Sequence, residues 1–183
     1  MTAASGLTGI GTILRSNTTY VRLTSLSRSI RQYREGDLNE VNAIEGTSFP
    51  DPWPASFFNY LHQKSPGLFL VALDGGTIAG YVVGELREIM FSGVSHRFKV
   101  GHILNIAVDN SRRQKGIGTL LMEEIEGRFG ERSATKVTLE VRESNGTARA
   151  FYIRRGYEEM GRVSAYYADE DAIIMGKNLK PES

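Results

Sequence analysis

The segment Arg113-Gln114-Lys115-Gly116-Ile117-Gly118 stands between the apolar run Ile103-Leu104-Asn105-Ile106-Ala107-Val108 and the helical pattern Thr119-Leu120-Leu121-Met122-Glu123-Glu124-Ile125. A strand, a glycine-rich turn flanked by cations and an amphipathic helix, in that order, expose consecutive backbone N–H groups at the positive end of a helix. A pyrophosphate can be held there without meeting side chains, so the ligand class is a phosphorylated cofactor. The bland alternative is a helix start with surface cations, and Arg112, Arg113 and Lys115 crowded against the glycines make it the poorer reading. No Gly-Lys-Ser/Thr triplet closes the turn, which removes a P-loop. Gly116-Ile117-Gly118 also lacks the third glycine of a dinucleotide fingerprint.

Other chemistries are bounded by absence. The 183 residues include no cysteine, which excludes a disulfide scaffold, a thiolate metal site and a cysteine nucleophile. His62, His96 and His102 show no paired ligand spacing, so no metal is expected, and the first two are assigned to surface or loop. A formal net charge of +1 gives no reason to expect a specific nucleic-acid or membrane-surface binder. No apolar stretch is long enough to span a bilayer, and Met1 to Thr12 lacks the features of a secretory signal. A cytoplasmic location is expected by default.

The elements that must position the turn follow from periodicity and punctuation. Residues 1–27 are rich in Ser, Thr and Gly, with Arg15 and Arg22 but no acid. They read as an N-terminal extension, with Thr19 to Leu23 strand-like, before a domain spanning 28–180. Ser29 to Tyr33 alternates as a short strand, and Asp37 is placed as N-cap of a helix from Leu38 to Gly46. Three prolines within Phe49 to Pro54 forbid regular structure, and a second helix runs from Ala55 to Gln63. Leu68 to Leu73 and Thr77 to Leu86 form a hairpin about Asp74-Gly75-Gly76. Residues 87–98 read as a strand extension with a loop, and Val100 to Val108 is the strand entering the glycine-rich turn.

Ile117, Leu120, Leu121, Ile125 and Phe129 mark the apolar face of the following helix. Lys136 to Val141 is then a strand, so strand, helix and strand imply a right-handed parallel crossover. Thr147 to Arg155 is a helix ended by Gly156. Gly161 to Tyr167 and Ala172 to Asn178 are read as closing strands around Asp169-Glu170-Asp171. The result is an α/β (α+β) domain, a mixed sheet with helices on both faces.

The turn, with Leu139-Glu140-Val141-Arg142-Glu143-Ser144-Asn145, Ala148, Tyr152 and Gly156-Tyr157 downstream, resembles the GCN5-related N-acetyltransferase (GNAT) family over residues 29 to 179. Gly101 to Val108 and Tyr166-Tyr167-Ala168 before Glu170-Asp171-Ala172 resemble its RimI-type and archaeal protein N-terminal acetyltransferase branch. The resemblance implies the GNAT fold, with parallel strands 100–108 and 136–141 splayed apart, and acetyl-CoA as acetyl donor. Its pyrophosphate is expected on the amides of Gln114, Lys115, Gly116, Ile117, Gly118 and Thr119, with Arg113 supplying charge. The pantetheine arm is expected along Ile106, Ala107 and Val108, with Asn145 at its edge.

The same resemblance implies transfer to the α-amino group of protein N-termini by direct attack in a ternary complex. Glu140 and His102 are the candidate bases, alone or through a water relay, and a main-chain N–H near Val108 is the donor to the carbonyl oxygen. Tyr152 is the candidate acid for the departing thiolate; reference values near ~10 for tyrosine and ~8.5 for a thiol make that step modestly uphill. The Phe49 to Trp53 loop is expected as the substrate lip. Asp51 occupies the selecting position there, or caps the helix that follows, with Trp53 a packing anchor. Tyr166 and Tyr167 would close the opposite side. Ribosome association and a monomer or homodimer are the partner states left open. The alternatives are a lysine or small-amine acceptor, or a non-catalytic acetyl-CoA-binding module.

Overall fold

Asp74-Gly75-Gly76 reverses the chain as its composition demands, with Gly75 and Gly76 at φ 65° and 88°. In the computed structural model, which describes residues 28–90 and 97–179, this turn joins β2 (Phe69–Asp74) to β3 (Thr77–Met90) in antiparallel register. β1 (Arg28–Gln32) adds to the outer edge of β2, and β4 (Arg97–Val108) pairs along the length of β3. The expected extension over 1–27, with its strand-like Thr19 to Leu23, lies outside the described residues, as does His96.

A seven-stranded sheet of order β1-β2-β3-β4-β5-β7-β6 results, with β5 Ala134–Arg142, β6 Glu158–Val163 and β7 Ala172–Asn178. Among the described strands only β4 and β5 are parallel neighbours, joined by α3 (Ile117–Glu131). Alternation along β2 divides the core. Phe69 and Val71 pack with α1 (Leu38–Ser48) and α2 (Ala55–Lys64), while Leu70 and Ala72 pack with the α3 side. Helix α3 lies close because Phe129 sits on bare backbone: a Cβ at Gly84 or Gly101 would come within 2.6 or 2.4 Å of its ring. That approach fixes the segment of β4 next to His102.

The parallel pairing runs from Lys99↔Ala134 to Ile103↔Leu139, where it stops. The register with β3 slips at the same place, Val83 facing Asn105 but Gly84 facing Ile103, which leaves Leu104 as an extra residue in β4. Such a bulge bends its strand. β5 continues on β7 to Arg142↔Ala172, so the strands part and the β5-facing edge of residues 104–108 is open. The expected splay is present, with a local cause.

Two expectations need correction. The strand expected over Gly161 to Tyr167 lies earlier: β6 ends at Val163, and Ala165 turns left-handed at φ 52°. The Tyr167 N–H then donates to the Glu170 carbonyl at 3.0 Å, which puts Tyr166 and Tyr167 in the β6–β7 loop. Asp37 stands before α1 but does not cap it with its side chain. Its carboxylate turns back to accept the Arg34 N–H at 2.8 Å and both terminal nitrogens of Arg31 at 2.6 and 2.8 Å. The stronger ion pair takes the oxygens the cap would have used. The end of α4 (Gly146–Arg154) is as expected: Gly156 is left-handed at φ 84°, and the Tyr157 N–H closes on the Tyr152 carbonyl at 3.1 Å.

Candidate active site

The glycine-rich turn opens α3 through two left-handed residues, Gln114 at φ 60° and Gly116 at φ 82°. Among the described residues no side chain caps this end, and the Leu120 N–H is bonded to the Gly116 carbonyl at 3.1 Å. The amides of Ile117, Gly118 and Thr119 precede the first intrahelical bond and are left for a ligand. They form one end of a groove of about 670 Å³ whose other walls are Ile106, Ala107 and Val108 of β4 and one face of α4.

Every residue expected to hold the cofactor lines this groove except Lys115. The Lys115 ammonium donates to the Ser111 carbonyl at 3.1 Å and its own carbonyl accepts Arg28, so it braces the turn. Arg113 donates from Nε to the Val108 carbonyl at 3.1 Å, which ties the turn to the end of β4. Asn145 caps α4, accepting the Ala148 N–H on Oδ1 at 3.0 Å, and leaves its amide nitrogen for the groove.

Ser48, Thr147, Phe151 and Arg154 also line the groove without having been expected there, and Phe49, expected in the substrate lip, joins them. Thr147, Phe151 and Arg154 are one helical face, so the periodicity already applied to α3 would have found them. Arg154 is exposed, and no described residue pairs with it. Arg112, by contrast, is occupied by the Asp74 carbonyl and the Thr77 hydroxyl.

At the splay, His102 on β4 and Glu140 on β5 meet, with Nε2 3.1 Å from Oε2. The other ring nitrogen, Nδ1, lies 3.0 Å from the Thr138 hydroxyl. His102 is 2% exposed, so both nitrogens are engaged within the protein. Burial pushes the Glu140 carboxyl up, but the hydrogen bond and charge of His102, with Arg87 farther off, outweigh it and hold it below the ordinary value. Glu140 is therefore the solvent-reaching member, ionised at neutral pH, and His102 fixes its orientation.

Tyr152 projects from α4 into the groove, and no described residue accepts its hydroxyl. Burial pushes that hydroxyl well up, aided by Tyr167, so it stays protonated as a donor. Burial and Tyr166 push Tyr167 up to about 12 against the opposing Arg142. Burial, then the negative Glu140, raises Tyr166 also. Tyr166 and Tyr167 meet edge-on, with ring centres 5.0 Å apart.

The opposite lip is held by a residue the sequence reading passed over. Glu45 of α1, buried at 1% exposure, accepts the Trp53 N–H at 2.9 Å, the Tyr81 hydroxyl, and Asn105 Nδ2 at 3.2 Å. Trp53 packs edge-on against Phe57, in line with an anchor role. Asp51 caps nothing: Pro54 precedes α2 without a side-chain cap, and Asp51, 82% exposed, lies 3.6 Å from Arg142.

A strand–turn–helix phosphate cradle at a splayed parallel pair is the arrangement of an acyl-CoA-using transferase, and the comparisons agree. The chain belongs to the acetyltransferase (GNAT) family, whose profile matches residues 38–157. It is 36% identical over 156 residues to an uncharacterized N-acetyltransferase of Methanocaldococcus jannaschii, covering 84% of this chain and 93% of that one. It is 32% identical over 157 residues to an N-alpha-acetyltransferase of Saccharolobus solfataricus, covering 82% and 93%. Among solved structures, Naa20 of Chaetomium thermophilum in complex with a bisubstrate analogue superposes with a TM-score of 0.74 at 33% identity, covering 82% and 86%.

Proposed function

We propose that this chain is a protein N-alpha-acetyltransferase that moves an acetyl group from acetyl-CoA to the α-amino group of protein N-termini. The observation that carries the reading is the His102–Glu140 pair where the β4–β5 pairing ends, with His102 on the strand that also supplies Ile106, Ala107 and Val108 to the groove. The groove fits the donor: it has free helix amides for a pyrophosphate, an open strand edge at residues 106–108 for an amide-bearing arm, and Arg113 and Arg154 for charge. Acetyl-CoA supplies the thioester whose carbonyl carbon the amine attacks, the N–C bond forming as the C–S bond breaks.

The chain's residues then manage protons. Glu140 receives the amine's proton, directly or through water. The acceptor helps, because an α-amine loses its proton near ~7.7–8.0 whereas lysine holds it to ~10.4. A main-chain N–H near Val108 donates to the carbonyl oxygen. Tyr152 gives its proton to the departing sulfur; burial makes this step steeper than for a free tyrosine, so transfer accompanies C–S cleavage. Attack is direct, since the chain contains no cysteine to carry an acyl group.

No helix among the described residues is long and apolar enough to cross a membrane. A cytoplasmic location, with nascent chains as the substrate source and a monomer or homodimer as the working form, belongs to the same proposal. The test is acetyl transfer to short peptides beginning Ser, Ala or Met, against the same peptides blocked at the N-terminus. Label on free peptides alone supports the reading. Equal labelling of blocked, lysine-bearing peptides overturns the α-amine assignment, and cofactor binding without transfer to any amine indicates a binding module.

A further inference from the structure

Arg142, the last residue of β5, is the hub of contacts that the reaction chemistry does not use. Its Nη1 donates to Asp169 at 2.6 Å and to Glu170 at 2.9 Å, both in the β6–β7 loop. The guanidinium lies 4.2 Å from the centre of the Tyr167 ring in the same loop. Its Nη2 approaches Asp51 of the opposite lip at 3.6 Å. Glu170 in turn accepts the backbone N–H and the hydroxyl of Ser144, each at 3.0 Å. Ser144 is followed by Asn145, the cap of α4 and a wall of the donor groove.

A planar, permanently charged fork satisfied by two carboxylates and an aromatic face holds its partners in one geometry, which a flexible ammonium cannot do. The β6–β7 loop is also held by Asp171, whose carboxylate accepts the Ala165 N–H at 2.9 Å. Among the described residues, however, Arg142 is the cation on the Tyr167 ring, and Tyr166 is half exposed. From this geometry we infer that Arg142 and Glu170 form a clasp that positions the acceptor peptide, tying Tyr166 and Tyr167 to the turn that opens the donor helix. Arg142 touches no reacting atom; it acts through the two tyrosines and, more weakly, through Asp51. Because the clasp ends on Ser144, a ligand seated against Asn145 and α4 tightens the loop, so donor binding prepares the acceptor site. The inference rests on the N-alpha-acetyltransferase reading for its substrate, though not for its mechanics.

Two measurements on the full chain separate these dependencies. Hydrogen exchange of residues 164–171 needs no turnover: acetyl-CoA should slow it in the wild type, while R142Q and E170Q should speed it and remove the acetyl-CoA effect. Exchange unchanged in both variants overturns the clasp whether or not the enzyme acetylates peptides. With an active wild type, R142Q should raise the peptide KM about tenfold with kcat and acetyl-CoA affinity nearly kept, R142K should recover only part of it, and R142Q/E170Q should be no worse than R142Q. A fall in kcat at unchanged peptide KM, or full rescue by R142K, overturns the positioning role. Inactivity of the wild type on every peptide sinks the functional reading while the exchange result still decides the clasp.

Discussion

His102 and Glu140 meet diagonally where the β4–β5 pairing ends, Nε2 to Oε2 at 3.1 Å, with Thr138, the register partner of His102, holding the far side of the imidazole. The pair divides labour by access, since the imidazole is enclosed and the carboxylate reaches solvent. Glu140→Gln should lower kcat by about 10²–10⁴-fold, the range for losing a general base. His102→Ala should cost less, and the double variant should be no worse than Glu140→Gln, because one residue acts through the other. Steady-state kinetics on all three decides this; additive losses would make His102 an independent base.

The pH profile carries a separate expectation. Glu140 is held below its ordinary value of 4.5, so it is already ionised where the acceptor amine begins to lose its proton. The rate with acetyl-CoA saturating should rise toward a plateau above about pH 8, set by the amine. Glu140→Gln should lower that plateau without moving its midpoint. A midpoint shift of a full pH unit would assign the limb to the enzyme instead.

Tyr152→Phe removes a donor whose hydroxyl has no acceptor among the described residues. Turnover should fall about 10–100-fold while acetyl-CoA affinity changes little, because the ring that lines the groove is kept. Rapid-quench rates and calorimetric titration give the two numbers. An unchanged rate removes Tyr152 as the proton donor.

Arg154 is a cation on the groove wall with which no described residue pairs. Arg154→Ala should weaken acetyl-CoA binding about three- to tenfold at low salt, and the difference should shrink as salt screens it. Calorimetry at two ionic strengths checks this. Equal affinity at both would leave Arg113 and the helix amides as the sole phosphate ligands.

Asp37 gives a stability prediction. Burial raises its pKa, but the Arg31 pair and the Arg34 N–H outweigh that, leaving the folded value below 3.8. A group depressed on folding stabilises fully above its unfolded value and loses that contribution as pH falls through the folded one. Asp37→Asn should therefore cost more stability at neutral pH than in acid, and in denaturant titrations the gap between variant and wild type should close as pH falls through the folded value. A cost independent of pH would mean the ion pair contributes nothing beyond packing.

Much of the fold was legible because its signals are local. Asp74-Gly75-Gly76, the α3 stripe and Gly156 each specify their geometry within a few residues and are in place, except that Leu120 of the stripe is exposed and Met122 is buried in the core instead. Tyr166 and Tyr167 were misassigned to a strand because aromatic residues favour strands, while the turn at Ala165 depends on Asp171, six residues on. Glu45 was silent for a similar reason. In sequence it is one polar position of a helix, and only folding delivers Asn105, 60 residues away, and Tyr81 to its carboxylate.

By itself the sequence determined the donor side, since a helix start with glycines exposes its amides whatever surrounds it. The tertiary structure decided the acceptor side. Whether Glu140 or His102 meets solvent and what Arg142 holds are settled by partners distant in the chain. Their energies depend on burial and angle, and neither exists until the sheet has closed and splayed.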